Sequence, residues 1–165
     1  MQDILAIIPH GNTKSELVKF FSQYQKDFFP IFPVCIPLAK VDFSKITLKE
    51  LKSQFTSTKI TLENLQLVDI WDVKNVAALS VKLSAKIDNY DKISFLNNFN
   101  KNNIFCPLGF SKNFTSSKTS FDSNFKIDFK VFQLAYIRIN ENSSKSATEP
   151  TLSFSYTILD SVWCK

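Results

Sequence analysis

Four segments of this sequence alternate apolar and polar residues, and this alternation constrains the fold more than any other feature. A period of two places one set of side chains in a core and the other in solvent, as in a half-buried β-strand. The apolar positions are Ile60 and Leu62; Leu79, Val81 and Leu83; Phe125, Ile127, Phe129 and Val131; and Leu152, Phe154, Tyr156 and Ile158. The pattern predicts strands that form one antiparallel sheet or a pair of them.

Other segments predict two further strands and three helices. The apolar run Asp3–Pro9 is typical of a strand buried on both faces. Capping boxes begin helices at Thr13 and Thr47, and prolines from Pro30 onward end the first helix. Further predictions are a strand over 34–41, a turn around Trp71, a weak helix over 88–100, a bulge near Phe132 and a polar connection over 141–150. The order β-α-β-α-β-β-α-β-β predicts one α+β domain, residues 1–165, with mostly antiparallel sheets and two or three helices packed outside.

The scarcity of glycine, histidine and cysteine excludes several kinds of site. Two glycines in the whole chain cannot complete a Walker A loop or a dinucleotide fingerprint, which need several glycines close together. One histidine and three scattered cysteines leave little material for a zinc site or a two-histidine active site. We therefore expect no cofactor and no metal ion.

The net charge of +5 is carried almost entirely by lysine, since Arg138 is the only arginine. Arginine, with its planar fork, is the residue that clamps phosphates and guanine edges. A lysine surface attracts polyanions without specificity. An AT-rich genome also produces excess Lys, Asn and Phe, and we favour this explanation of the charge. The prediction for partners is limited to weak binding of a polyanion or a nucleotide.

The N-terminal segment does not have the pattern of a signal peptide. Asp3 stands where positive charge is needed, and the apolar run Ile4–Ile8 is too short for the hydrophobic region. No stretch approaches the roughly 20 apolar residues that cross a bilayer. We expect a cytoplasmic protein without membrane contact, whose cysteines Cys35, Cys106 and Cys164 remain thiols.

Two groups of residues are candidates for chemistry. The segment from His10 to Ser15 follows a strand and opens a helix, as a phosphate loop does, but it has one glycine. The remaining expectation is an anion contact through Lys14 and Ser15 at the helix N-terminus. His10 as a general base, or Asp69 and Asp72 as a carboxylate pair, would make the chain an enzyme of unrelated chemistry. His10 lacks an identifiable partner, and acids beside a turn are usually part of the turn.

The order of elements resembles that of the 2H phosphoesterase superfamily, which includes the RNA 2′,3′-cyclic phosphodiesterases, also called 2′-5′ RNA ligase-like proteins. The opening is similar over residues 4–9 and the helix from Thr13. The middle is similar over 60–65 and 76–83, and the ending over 129–139 and 154–163. The resemblance covers nearly the whole chain as a pattern of apolar positions. It implies a two-lobed fold with a central groove.

Both His-x-Thr motifs of that superfamily are missing here. The first position reads Cys35-Ile36-Pro37-Leu38, and the second reads Cys106-Pro107-Leu108-Gly109-Phe110. A shift of one or two residues decides whether Cys106 or Leu108 stands in the second histidine place, and neither register supplies a histidine and a hydroxyl. In the superfamily one histidine is the base, the other is the acid, and the hydroxyls hold the phosphate. The side chains of proline and leucine can neither transfer a proton nor donate a hydrogen bond to a phosphate.

The resemblance therefore implies a degenerate, non-catalytic protein. Its groove would be lined by the residues at the motif positions, Cys35, Pro37, Cys106, Leu108 and Phe110. This groove would bind a nucleotide, an RNA end or another ligand without turnover, or serve only as a scaffold. The alternative interpretations are a protein–protein interaction or scaffold domain, and the unrelated enzyme described above.

Overall fold

The structure is a computed structural model that describes residues 3–73, 76–96, 103–111, 124–145 and 150–165. These residues form two helices, nine strands and three short 3-10 turns. The helices are α1 (Gly11–Ser22) and α2 (Leu48–Lys52), and the 3-10 turns are Ser53–Phe55, Tyr90–Lys92 and Ser94–Leu96. The strands are β1 (Asp3–Pro9), β2 (Phe28–Pro30), β3 (Ile36–Lys40), β4 (Ile60–Val73), β5 (Val76–Ile87), β6 (Phe105–Ser111), β7 (Lys126–Phe129), β8 (Phe132–Lys145) and β9 (Pro150–Cys164). The predicted α+β class with mostly antiparallel sheets is confirmed.

The strands form two antiparallel sheets. The first sheet has the order β3-β1-β8-β9, and the second has the order β2-β6-β5-β4-β7. The chain crosses between them directly after Phe129, because β7 pairs with β4 whereas β8 pairs with β1 and β9. The bulge predicted near Phe132 is wrong. The alternation of apolar and polar residues changes its phase near Phe132 because the chain passes there from the second sheet to the first.

The two helices differ in how well their ends were predicted. Thr47 caps α2 as expected, since its Oγ1 accepts a hydrogen bond from the backbone N–H of Glu50 at 3.2 Å. The prediction of a cap at Thr13 is wrong, because His10 caps α1 through Nδ1, which accepts from the N–H of Asn12 at 3.3 Å. The helix also ends at Ser22 and not at Pro30. The segment after it turns and enters β2, where pairing with β6 buries Phe28 completely.

Three other predictions change where strands pair over a longer distance than the pattern indicates. The turn predicted around Trp71 is wrong, because β4 stays paired with β5 as far as Val73. The polar connection over 141–150 is wrong as far as residue 145, since β8 continues to Lys145 and pairs with β9 there. The described part of the segment 88–100 contains 3-10 turns in place of an α-helix. The strand over 34–41 is present as β3.

The largest core cluster is shared by both sheets and both helices. Leu5 of β1 and Leu83 of β5 are fully buried in it, although they belong to different sheets. Leu17 of α1 and Leu51 of α2 pack into the same cluster. One apolar interior therefore joins the two halves of the molecule.

Candidate functional site

The first motif position lies at the start of β3. Cys35 and Ile36 have no exposed surface, and Pro37 is partly buried. Pro37 pairs with Ala6 of β1 beside a shift in register, which accommodates a residue that cannot donate to the sheet. The position is thus part of the interior face of the first sheet.

The second motif position lies on β6 in the second sheet. Cys106 is fully buried and pairs with Leu83, while Leu108 and Phe110 are 2% and 4% exposed. The register with β5 shifts between Val81 and Lys82. Of the groove residues predicted at the two motif positions, only Pro37 is not buried.

A second apolar cluster, which we call the seam, contains Cys35 of the first motif position and Phe110 of the second, whereas Cys106 and Leu108 pack in the larger cluster. It consists of Ile4, Ala6, Ile8, Ile31, Cys35, Phe110, Ala135, Ile137 and Tyr156. Its members come from β1, β8 and β9 of the first sheet, from β6 of the second, and from the segment before β3. That segment is tied to β9 by the backbone N–H of Tyr156, which donates to the carbonyl of Phe32 at 3.1 Å. Hydrophobic side chains fill the place where the two sheets face each other.

Comparison with solved structures shows a similar fold in other proteins. TT0787 of Thermus thermophilus is similar with a TM-score of 0.52 and 11% identity, covering 99% of this chain and 97% of that one. LigT of E. coli in its apo form is similar with a TM-score of 0.51 and 11% identity, covering 99% and 96%. Both belong to the 2H phosphoesterase superfamily.

This chain has the 2H phosphoesterase fold. The resemblance drawn from the order of elements is confirmed at the level of the fold. No family model matches the sequence, and no curated protein matches it either. At 11% identity the comparison establishes the architecture only, and the chemistry of the site has to be inferred from the residues of this chain.

The ionisable groups at the motif positions of this 2H fold are held in their neutral forms. Burial, and secondarily the charge of Cys106, raises the pKa of the Cys35 thiol well above its ordinary value. Burial raises the pKa of Cys106 to about 12. Burial also raises the pKa of the Tyr156 hydroxyl, and the two thiols add to that effect, which places all three groups within electrostatic reach of one another. At neutral pH none of them is an anion that could act as a base or nucleophile.

We expect the free energy of unfolding to fall as the pH rises from about 9 towards 12. Unfolded thiols ionise near 9.0, whereas Cys106 stays protonated in the fold up to about 12. The unfolded state thus loses its protons first, and each such thiol costs about 1.4 kcal/mol per pH unit within that window. Below the window the contribution is fully retained. Urea denaturation at a series of pH values measures the slope.

The matched control for this prediction is Cys106→Ala. It removes one of the buried thiols, so its stability should decline less steeply with pH than that of the wild type, whatever its absolute value. Equal slopes for the two proteins would show that the thiol of Cys106 is not held protonated by the fold.

The other predicted contacts lie away from the seam. Lys14 and Ser15 are on α1, near its N-terminus, and neither belongs to the seam. The first turn of α1 contains no acidic residue, and the N–H of Asn12 is already bonded to His10. Asp69 and Asp72 belong to β4 by their backbone, but their side chains lie outside what the structure describes.

A cleft that sequence reasoning missed lies beside the end of β9. Lys52, Thr56, Trp163, Cys164 and Lys165 line a volume of about 440 Å³, which we call the Trp163 cleft. Lys52 ends α2, Thr56 follows the 3-10 turn Ser53–Phe55, and the other lining residues lie at the end of β9 or directly after it, so no local pattern could group them. The one available signal was Trp163 itself, a large apolar residue near the end of β9.

Other kinds of site have no counterpart in the described residues. Within them, no three His, Cys, Asp or Glu side chains are grouped so that they could hold a metal ion. None of the described helices has the length and apolar character needed to cross a membrane.

Proposed function

We propose that this protein is a non-catalytic protein of the 2H phosphoesterase fold that binds a phosphate-bearing ligand without turning it over. The observation that carries the proposal is the burial of the motif positions. Cys35, Cys106, Leu108 and Phe110 are packed in the interior, with at most 4% of any one exposed. A substrate would have to displace this core to reach them.

The chemistry of the buried residues supports the same conclusion. Phosphodiester cleavage of the kind implied by the resemblance needs a base, an acid and hydroxyl groups around the phosphate. Proline, leucine and phenylalanine side chains offer no transferable proton, and the thiols at these positions have raised pKa values.

A phosphate could not be stabilised in the seam either. Among the residues whose burial is described, the buried polar side chains are Thr13, Thr58 and Thr61, so no cation is buried with them. Burying an anion without a partner is prohibitively costly. The net charge of +5 nevertheless favours anionic ligands at the surface. We therefore place the ligand outside the seam.

The test is to incubate the purified full chain with a 2′,3′-cyclic nucleotide and with a 2′-5′-linked dinucleotide. Phosphorus NMR and chromatography should show no product beyond that formed in buffer. The proposal fails if product forms in proportion to the protein and the rate falls in Cys35→Ala or Tyr156→Phe. Tyr156→Phe removes only the hydroxyl oxygen and Cys35→Ala removes only the sulfur, and circular dichroism of both variants checks that a lost rate does not reflect a collapsed seam.

A further inference from the structure

The Trp163 cleft combines a suitable volume with an accessible position. At about 440 Å³ it falls within the range of small-molecule sites. A second cavity, lined among others by Leu17, Val18 and Phe32, has a volume of about 10 Å³ and admits little more than one water molecule. Of these two, only the Trp163 cleft has room for a ligand.

The aromatic wall of the cleft is the exposed indole ring of Trp163, which lies beside the ring of His10. Trp163 is 45% exposed, although tryptophan is usually largely buried. The ring of His10 lies 6.2 Å from it, centroid to centroid, at an angle of 56°. The exposed part of the indole offers an apolar surface on which a planar group can stack.

Lys52 gives the remaining wall a positive charge. Lys52 and Lys165 both line the cleft, and no Asp or Glu side chain does. Among the described residues, the ion pairs involve Lys45, Lys59 and Lys86, and leave these two lysines without a carboxylate partner. The positive charge of Lys52 acts on the Cys164 thiol, which also lines the cleft. Burial raises the pKa of this thiol, and the charge of Lys52 counteracts part of that rise. The cleft therefore favours an anionic group.

One ligand class uses both walls together. Inorganic phosphate would engage only the lysines, and a nucleoside would engage only the tryptophan. We propose that the Trp163 cleft binds a mononucleotide, with the base stacked on Trp163 and the phosphate on the ammonium group of Lys52. The hydroxyl of Thr56 donates to the carbonyl of Ser53 at 3.3 Å, so its oxygen is available to accept a hydrogen bond from the base. This inference rests on the proposed function and names the ligand and its site.

The experiment is a fluorescence titration of the full chain carrying Trp71→Phe. The sequence has two tryptophans, so this variant leaves Trp163 as the only reporter. AMP should quench its emission with saturation, whereas adenosine and inorganic phosphate should bind roughly tenfold more weakly or worse, since each lacks half of the contacts. Added salt should weaken the binding of AMP, because the phosphate contact is electrostatic.

Two variants, followed by calorimetry with AMP, locate the site. Trp163→Ala and Lys52→Gln should each raise the Kd by roughly tenfold or more. Lys49→Gln is the matched control, because Lys49 is an exposed lysine on the same helix that does not line the cleft. Its Kd should equal that of the wild type. Circular dichroism confirms that the variants are folded.

The outcomes separate this inference from the proposed function. Absence of AMP binding up to about 5 mM, or an unchanged Kd in both cleft variants, overturns the nucleotide site. An RNA oligonucleotide that binds Trp163→Ala as tightly as the wild type, while AMP does not bind, overturns it as well. If the protein cleaves a phosphodiester, the proposed function is overturned. The nucleotide site at the Trp163 cleft is then still tested independently by the Kd values of Trp163→Ala and Lys52→Gln.

Discussion

Replacing Phe110 by alanine will lower the free energy of unfolding by about 3–5 kcal/mol, the range for a buried phenylalanine. Phe110 is 4% exposed and contributes the ring by which β6 enters the seam. Its loss leaves a cavity between two sheets that cannot collapse freely, because their strands are fixed by pairing. Guanidinium denaturation followed by circular dichroism measures the change.

Phe29→Ala is the control for this prediction. The rings of Phe29 and Phe110 are neighbours, with centroids 5.5 Å apart, but Phe29 is 45% exposed. Its removal should cost about 1 kcal/mol, since it loses much less buried area and leaves no enclosed void. Equal costs for the two variants would contradict the view that the second motif position has become part of the core, and with it the main support for a non-catalytic protein.

Gly109→Ala should destabilise the protein by about 3 kcal/mol, at the upper end of what an overpacked site costs. A Cβ at this position would overlap Cζ of Phe21 and lie 2.6 Å from the carbonyl oxygen of Phe29. The ring of Phe21 could shift, but the carbonyl belongs to β2, whose residue Pro30 pairs with Gly109. The backbone therefore has to move, and the thermal midpoint should drop accordingly.

The other glycine provides the comparison. A Cβ at Gly11, the first residue of α1, would have no atom within 4 Å. Gly11→Ala should be neutral or stabilising by about 0.4–1 kcal/mol, because alanine restricts the unfolded chain. If Gly109→Ala were as well tolerated as Gly11→Ala, the close approach of β2, β6 and α1 would be incorrect.

Local signals predicted the parts of the fold that local forces determine. The cap at Thr47 is correct because one hydroxyl and one nearby N–H are sufficient to form it. The strand containing Ile60 and Leu62 is correct because alternation directly reflects which side chains are buried. Where a distant partner decides the outcome, the sequence was insufficient. Trp71 remains in a strand because β5 pairs with it, and Phe28 leaves the helical pattern because β6 does.

The same distinction applies to the candidate site. The motif positions at Cys35 and Cys106 could be located from the order of elements, but their complete burial depends on two different clusters in which residues of both sheets pack together. The Trp163 cleft could not be anticipated, because Lys52 and Trp163 are more than a hundred residues apart and share no pattern. Contacts between residues so far apart in the sequence are determined by the topology of the fold and not by the local propensities of the residues.

The core shared by Leu5 and Leu83 also determines how the molecule can respond to a ligand. Enzymes that close around a substrate by a hinge rotate two bodies relative to each other, and few contacts between those bodies have to break. Here any rotation of one sheet against the other would expose side chains that are fully buried between them, which makes an open state energetically remote. The ligand that we propose would therefore meet a surface that is preorganised before it arrives, and its affinity would not be diminished by the work of rotating one sheet against the other.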